Sequence, residues 1–252
     1  MVQSFREPQI LEIARTEGRV KVEDLARRFD VTVQTIRRDL TELADEGKLE
    51  RVHGGAVLPS GVSNIGYEDR RDLNSEGKNS IAKLVAQTIP NDASLFLNIG
   101  TSTEAVAREL LNHQNLMVVT NNMNVANILV ANKNCDIMLA GGMLRRSDGG
   151  LTGNLTTQAI EQFKVDFAVI GCSAVDEDGD LLDFDVQEVG VSKAIIRHAR
   201  KTLLVADQSK FARSAPARIA SLVEISTVFC DAPLPGDLMQ KCKNWETDVI
   251  IG

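Results

Sequence analysis

The chain has 252 residues, of which 43% are hydrophobic and 25% charged, and its formal net charge is -7. No apolar run approaches the roughly 20 residues that a membrane-spanning helix needs, and the start, MVQSFREPQ, lacks the apolar core of a secretory signal. The composition therefore excludes a membrane protein and predicts a cytoplasmic one with a large domain, alone or joined to a small one.

The cysteines and histidines indicate neither a disulfide framework nor a metal site. The four cysteines are Cys135, Cys172, Cys230 and Cys242, and the three histidines are His53, His113 and His198. No CxxC pair occurs, and no two histidines have the spacing of metal ligands. Most of the cysteines lie in apolar surroundings, which favours buried free thiols. We expect no structural metal and no cofactor.

Residues 1–57 have the pattern of a winged helix-turn-helix domain. Apolar residues mark one helix before Gly18, a short second helix around Leu25, and a third that begins after a capping Thr32. The apolar stripe predicted for the third helix contains Val33, Ile36, Leu40, Leu43 and Ala44. The segment KLERVHGGAVL then alternates around two glycines like a hairpin. A linker over 58–74 follows, because LPSGVSNIG is rich in Pro, Gly, Ser and Asn.

The third helix is the predicted DNA-contacting element, although charge alone does not identify it. Residues 1–57 contain ten Lys or Arg and eleven Asp or Glu, so the placement of charge matters more than its sum. Opposite the stripe lie Gln34, Thr35, Arg37 and Arg38, near the helix N-terminus that enters a DNA groove. The acids Asp39, Glu42, Asp45 and Glu46 are expected to point away from it. An ordinary solvated face is the alternative.

Residues 75–252 alternate short apolar runs with helical patterns, which predicts a mostly parallel sheet covered on both faces. The expected strands are 95–98, 116–120, 136–140, 167–171, 202–206 and 227–230. The expected helices are 103–111, 123–131, 155–163 and 187–199. Open parallel sheets bind ligands beyond the carboxyl ends of their strands, so polar turns after these runs are candidate site segments.

One such turn resembles a phosphate-binding loop. NIGTSTEAV runs from a strand through Gly100, Thr101, Ser102 and Thr103 into a helix, whose first amides and hydroxyls suit an anion. Helix capping is the equally simple alternative. Further candidates follow other strands: Thr120, Asn121, Asn122, Gly141, Gly142, Arg145 and Lys210. The carboxylates Asp183, Asp185 and Glu188 could bind polyol hydroxyls, or favour a helix N-terminus.

The segment VKVEDLARRFDVTVQTIRRDLTELADEGKLERVHGGAVLP, with TIRRDL and RVHGGA as landmarks, resembles the DNA-binding signature of the DeoR-type bacterial transcriptional repressors. This resemblance implies contact with double-stranded operator DNA by residues 32–38 and by the wing. The residues so implied are Thr32, Val33, Gln34, Thr35, Arg37, Arg38, Arg51 and His53. It also implies an effector domain similar in fold to sugar-phosphate isomerases and CoA-transferases.

Further motifs, including GTSTEAVARELLNHQNLMVVTNNMNVANILV, LAGGMLRRSDGGLTGNLT and LLVADQSKFAR, are similar to those of family members that control glycerol catabolism. The resemblance implies glycerol 3-phosphate as the effector and a homodimer or homotetramer as the DNA-binding form. One departure is Asn98, where the family usually has Asp. The alternatives are a repressor that responds to another sugar phosphate, and an isomerase-like enzyme with an accessory DNA-binding domain. The second alternative lacks a compact catalytic signature.

Overall fold

The computed structural model describes residues 6–17, 19–46, 48–52, 54–57, 67–72 and 74–252. His53 and the segment 58–66 lie outside the described residues. The N-terminal elements are α1 (Glu7–Glu17), β1 (Arg19–Lys21), α2 (Val22–Arg28), α3 (Val33–Asp45), β2 (Glu50–Val52) and β3 (Gly55–Val57). These elements enclose their own core, which includes Ile10, Leu25, Ile36, Leu40 and Leu43. The predicted winged helix-turn-helix is therefore present.

The wing has a third strand that the sequence pattern did not predict. Strand β1 pairs with β3, giving the antiparallel order β1-β3-β2. Gly55 is necessary at this contact, because a Cβ atom there would lie 1.9 Å from the carbonyl oxygen of Val20. The short β1 strand thus connects the end of α1 to the wing.

The first half of the remaining chain contains α4 (Tyr67–Asp72), α5 (Ser75–Thr88), β4 (Ser94–Leu97), α6 (Thr101–Glu109), β5 (Leu116–Thr120), α7 (Met123–Leu129), β6 (Cys135–Leu139), β7 (Met143–Arg145), β8 (Gly150–Thr152) and α8 (Asn154–Ile160). The second half contains β9 (Val165–Ile170), β10 (Ala174–Val175), β11 (Asp180–Asp183), α9 (Val186–Arg197), β12 (Ala199–Val205), β13 (Ala217–Ser221), β14 (Thr227–Cys230), α10 (Leu238–Asn244) and β15 (Asp248–Ile251). Helix α4 lies inside the predicted linker.

Seven strands form a sheet in the order β15-β14-β12-β9-β4-β5-β6, with every adjacent pair parallel. The chain enters this sheet at β4, proceeds through β5 to β6, and returns to the other side at β9. The strand order therefore reverses between β4 and β9. A crevice opens at such a reversal point, outside the carboxyl ends of the two strands.

Two apolar layers cover the faces of this sheet, as the alternation of side chains along a strand requires. On β4, Leu95 and Leu97 pack with α5 and α6, whereas Phe96 packs on the opposite side with α8 and α9. The cysteines are free thiols, as predicted, and Cys172, Cys230 and Cys242 are buried. No helix within the described ranges is long and apolar enough to span a membrane.

Candidate functional site

The first candidate site is the solvent face of α3. The Thr32 hydroxyl accepts a hydrogen bond from the Thr35 amide at 3.2 Å, so the predicted N-cap is present. Gln34, Arg37 and Arg38 are exposed near the helix N-terminus. This arrangement leaves their side chains free to approach a DNA groove, where Gln pairs with adenine and Arg with guanine.

One expectation for α3 was wrong. Val33 is not part of the buried stripe, since 36% of it is exposed at the first turn of the helix. Asp39 lies away from the exposed face, as expected: it is buried, and its carboxylate accepts hydrogen bonds from Arg6 at 2.8 and 3.2 Å. The reason is that Asp39 lies beside Leu40 on the buried side, and Arg6 supplies the compensating charge. This ion pair joins the start of α1 to α3.

Arg38 has a partner on its own helix, because its Nε lies 3.0 Å from the Glu42 carboxylate. The pair is exposed, so it contributes little to stability and can open when a phosphate or base approaches. Arg51 is exposed on β2 of the wing, beyond α3 in the chain. The prediction for His53 lies outside the described residues.

The second candidate site is a pocket at the reversal point between β4 and β9. Its lining includes the turn Gly100–Thr103 after β4 and the turn Gly171–Ser173 after β9. Arg70, Asp183, Glu188 and Lys210 add charged groups to the same lining. The structure therefore brings together the predicted loop, Asp183 and Lys210, which are far apart in the chain.

The Gly100–Thr103 turn has the geometry of an anion-binding helix start. Gly100 precedes α6 with φ +145°, a conformation that residues with a Cβ rarely adopt. The first amides of α6 have no carbonyl partner one turn back, so they are available to an anion. Thr103 is different, because its buried hydroxyl lies 2.7 Å from the carbonyl oxygens of Asn98 and Gly100. Thr103 therefore shapes the turn.

Several cations surround this turn. Lys78 and Lys210 are buried, at 4% and 9% exposure, and Arg70 and Arg213 lie near them. Burial lowers the pKa of Lys78 to about 8 and also lowers the pKa of Lys210 and of Arg213. Each lowering is partly opposed by the Asp207 carboxylate.

Asp207 is the carboxylate that Lys78, Lys210 and Arg213 share. Burial alone would raise its pKa, but Lys210, Ser209 and Lys78 lower it below its usual range. Arg70 has a second acidic partner, since its Nη2 lies 3.2 Å from Asp148. Among the described residues, Arg70 Nε and Arg213 Nη2 are buried without a hydrogen-bond partner. These two buried N–H groups are therefore available to an anionic ligand.

Acidic groups line another part of the pocket. Burial and the nearby Asp183 carboxylate raise the pKa of Glu188 to about 7, although Arg145 opposes this. Arg145 contacts Glu188 at 2.6 Å, Asp185 at 2.8 Å and Asp148 at 2.7 Å. Arg145 therefore holds the carboxylates in position and does not itself line the pocket. Carboxylates so placed can accept hydrogen bonds from ligand hydroxyls.

Five other predicted effector contacts are absent from the lining of this pocket: Thr120, Asn121, Asn122, Gly141 and Gly142. Several of their polar groups make hydrogen bonds within the protein. The Thr120 hydroxyl donates to Leu97 O at 2.7 Å, the Asn121 amide donates to Leu151 O, Asn122 caps α7, and Gly141 O accepts from Thr156. Gly142 has φ +143° and abuts the Thr156 hydroxyl. These turns follow β5 and β6, away from the reversal point.

Asn98 is also a structural residue here. Its amide donates to the Ser192 hydroxyl at 2.9 Å, and its carbonyl oxygen accepts from the Ile99 amide. The side chain is buried beneath the pocket and joins the end of β4 to α9. An aspartate at this position would lose the donor toward Ser192, although the serine hydroxyl could donate in return.

Sequence reasoning missed Arg70, Cys172 and Ser173 as lining residues. Cys172 and Ser173 follow β9, so the rule that selected the other polar turns could have found them. Arg70 carried no such signal, because it lies in the segment that was interpreted as linker. Burial raises the pKa of the Cys172 thiol to about 12, so it is not a reactive thiolate.

Comparison with protein families gives two matches that together cover most of the chain. Residues 6–62 match the DeoR-like helix-turn-helix domain, and residues 73–232 match the DeoR C terminal sensor domain. The folds of ribose 5-phosphate isomerase A from Methanocaldococcus jannaschii (15% identity, 55% of each chain, TM-score 0.41) and eIF2B beta from Chaetomium thermophilum (12% identity, 78% of this chain and 54% of that one, TM-score 0.46) are distantly similar.

Full-length relatives are more similar in sequence than these structures are. The chain is 47% identical to the glycerol-3-phosphate regulon repressor of Escherichia coli K12 over 95% of both chains. It is 45% identical to the repressor of the same name from Haemophilus influenzae, over 100% of this chain and 98% of that one. These relatives are transcriptional repressors, so the enzyme alternative is rejected. The chain belongs to the DeoR family of helix-turn-helix transcriptional repressors.

Proposed function

We propose that this repressor controls genes of glycerol and glycerol 3-phosphate catabolism, and that glycerol 3-phosphate releases it from operator DNA. The observation that carries the proposal is the Gly100–Thr103 turn at the start of α6, with Arg70 and Lys210 in the same pocket lining and the Arg70 Nε buried without a hydrogen-bond partner among the described residues. A phosphate dianion there would accept hydrogen bonds from the α6 amides and neutralise the charge of Arg70 and Lys210. The names of the full-length relatives support the same effector.

The acidic part of the pocket supports a polyol as the rest of the ligand. Asp183 and Glu188 share the lining with the phosphate turn, so one small molecule can reach both. Hydroxyl groups donate to carboxylates, whereas a second phosphate would be repelled by them. A short phosphorylated polyol therefore fits this pocket better than a bisphosphate does.

On the DNA side, we propose that Gln34, Thr35, Arg37 and Arg38 contact base edges and phosphates while Arg51 contacts the adjacent backbone. One helix-turn-helix unit covers one half-site, so a homodimer or homotetramer would bind a repeated operator. The effector acts by binding more tightly to the state with low operator affinity. A coupling free energy of about 1 to 3 kcal/mol gives 5- to 150-fold release.

The test is an operator-release assay on the full chain. A fluorescent promoter fragment from the genes for glycerol catabolism is bound, and anisotropy is followed during titration with glycerol 3-phosphate, glycerol, inorganic phosphate, ribose 5-phosphate and fructose 1,6-bisphosphate. We expect glycerol 3-phosphate to release the fragment at the lowest concentration and glycerol to have no effect. Release by only one of the other phosphorylated compounds would identify that compound as the effector in place of glycerol 3-phosphate. Release by none of the compounds would contradict the proposal.

Lys210→Met provides a matched test of the pocket. The variant keeps the length of the side chain and removes one charge that faces the ligand, so operator binding should persist while effector affinity falls about 10- to 150-fold. Lys193→Met removes the same charge from the exposed face of α9 and should behave as the unmodified protein. An equal effect of the two substitutions would contradict the assignment of the pocket.

A further inference from the structure

Helix α4 connects the two candidate sites along the chain. It follows the winged domain and precedes the sensor domain, yet its Arg70 lines the effector pocket. The side chain of Arg70 is only 18% exposed. A residue of the connecting segment is thus built into the site where the ligand is proposed to bind.

The N-terminal end of α4 is held by Tyr67. Its hydroxyl lies 2.9 Å from the carboxylate of Glu104 on α6 and 3.0 Å from the amide of Asn124 on α7. Glu104 is itself buried, at 2% exposure. Tyr67 does not line the pocket, so its contacts position the helix without touching the ligand.

The C-terminal end of α4 is held by groups that belong to the pocket. The carbonyl oxygen of Arg70 accepts hydrogen bonds from the Thr101 hydroxyl, at 3.3 Å, and from the Lys78 ammonium. The Arg70 guanidinium contacts Asp148 through Nη2, while its Nε is buried without a partner among the described residues. Thr101 therefore belongs both to the phosphate turn and to the attachment of α4.

A phosphate on this turn would alter both attachments. Its oxygens would accept the Thr101 hydroxyl, which now donates to the Arg70 carbonyl, and they would attract the guanidinium away from Asp148. Asp148 would keep its contact with Arg145 at 2.7 Å, so its negative charge would remain paired. The cost of releasing Arg70 is correspondingly low, and the movement is passed to the backbone of α4.

We propose that Arg70 is an effector-binding residue and that α4 transmits ligand binding to the winged domains. This inference rests on the proposed function, because it takes the phosphorylated effector as the ligand. It assigns Arg70 to the ligand and Tyr67 to positioning. In a mechanism confined to the sensor domain, every ligand contact would come from that domain. Here Arg70, which would contact the ligand, belongs to the connecting helix α4.

The experiment measures three quantities for each variant of the full chain: operator affinity without ligand, the Kd for glycerol 3-phosphate by calorimetry, and the ratio of operator affinities without and with saturating ligand. For Arg70→Met we expect operator affinity within about threefold of the unmodified protein and a Kd weakened at least about tenfold. Arg70→Lys keeps the charge but lacks the planar array of donors. Its Kd should therefore lie between those of the unmodified protein and Arg70→Met.

Tyr67→Phe separates transmission from binding. It removes only the hydroxyl, so the Kd should change less than about threefold while the release ratio falls by half or more. Lys83→Met removes a charge from an exposed position on α5 and should leave all three quantities unchanged. Unchanged effector binding in Arg70→Met, or full release in Tyr67→Phe, would overturn the inference. Failure of the unmodified protein to bind the ligand would overturn the proposed function as well.

Discussion

The solvent face of α3 and the pocket of the sensor domain differ in how far their charged groups are exposed to solvent. On α3, Arg38 and Glu42 form an ion pair whose side chains are 82% and 46% exposed. In the sensor domain, the Asp148 side chain that pairs with Arg70 and Arg145 is 2% exposed. Exposed pairs cost little to open, whereas buried charges must stay compensated. The exposed ion pair on α3 is thus suited to exchanging its partner for a group on DNA. The buried charges of the sensor domain are suited to enclosing a small anion.

This contrast explains why the net charge of -7 does not prevent DNA binding. Charges farther away than about 10 Å are largely screened at ordinary ionic strength, so the reading surface acts locally. In the pocket, charged groups affect one another more strongly, because buried groups are screened much less than exposed ones. Substitutions should therefore have separable effects in the two regions.

The largest effect is expected for the double substitution Arg37→Ala and Arg38→Ala. Loss of two side chains that are proposed to face the groove should weaken operator binding by about 2 to 6 kcal/mol while effector binding is retained. Fluorescence anisotropy with operator and calorimetry with effector give the two affinities. Arg200 and Lys201, an exposed basic pair in the sensor domain, provide the control double substitution, and an equal loss there would contradict the role of α3.

Glu188 should give the sensor domain a characteristic pH dependence. Its folded pKa of about 7 exceeds the unfolded value of 4.5, so the folded state holds the proton more tightly. Its stabilising contribution is present below pH 4.5 and is lost as the pH rises to about 7, by roughly 3 kcal/mol in total. The free energy of unfolding of the unmodified protein should therefore fall over this range relative to Glu188→Gln. Parallel pH curves would contradict the prediction, and Glu177→Gln, at an exposed position, is the control.

Gly55→Ala tests the three-stranded wing. The new Cβ would overlap the carbonyl oxygen of Val20, so β1 and β3 must separate and the winged domain should lose about 1 to 3 kcal/mol. Thermal unfolding measures this loss, and operator affinity should fall with it. Gly190→Ala, in α9 with open space around its Cβ, should be neutral or slightly stabilising. An unchanged unfolding temperature for Gly55→Ala would contradict the close pairing.

The smallest effect is expected for Glu42→Gln. This change releases Arg38 from its exposed ion pair and removes the negative charge beside it, so operator affinity should rise by about 0.2 to 1 kcal/mol. Anisotropy titrations at low salt are sensitive enough to measure it. Weaker operator binding by this variant would mean that the Glu42 carboxylate positions Arg38 for the contact.

The sequence predicted the winged helix-turn-helix and the parallel sheet because their apolar patterns are local. The strands Leu116–Thr120 and Thr227–Cys230 agree with the predicted bounds, while Ala199–Val205 begins three residues before the predicted start at 202. Short antiparallel strands such as Arg19–Lys21 were missed, because three residues carry too little periodicity. The burial of Asp39 was not predicted, because it depends on Arg6, a partner distant in the chain.

The pocket was predictable in part, because some of its features also depend only on the local sequence. A polar turn after a strand can be recognised from the local sequence, so Gly100–Thr103 could be selected. The order of strands in the sheet cannot be read from the local sequence. Thr120–Asn122 therefore seemed equivalent to the turn after β4, although β5 lies away from the reversal point. Arg70 could not be found, because its place in the pocket depends on how α4 packs on the sensor domain.

The most direct test is the Kd of glycerol 3-phosphate measured by calorimetry with the free protein and again with the protein saturated with operator. Binding to two coupled sites is reciprocal, so the factor by which the effector weakens operator binding must equal the factor by which operator weakens effector binding. We predict a Kd 5- to 150-fold higher in the operator complex, matching the release ratio. An identical Kd in both states would contradict the account.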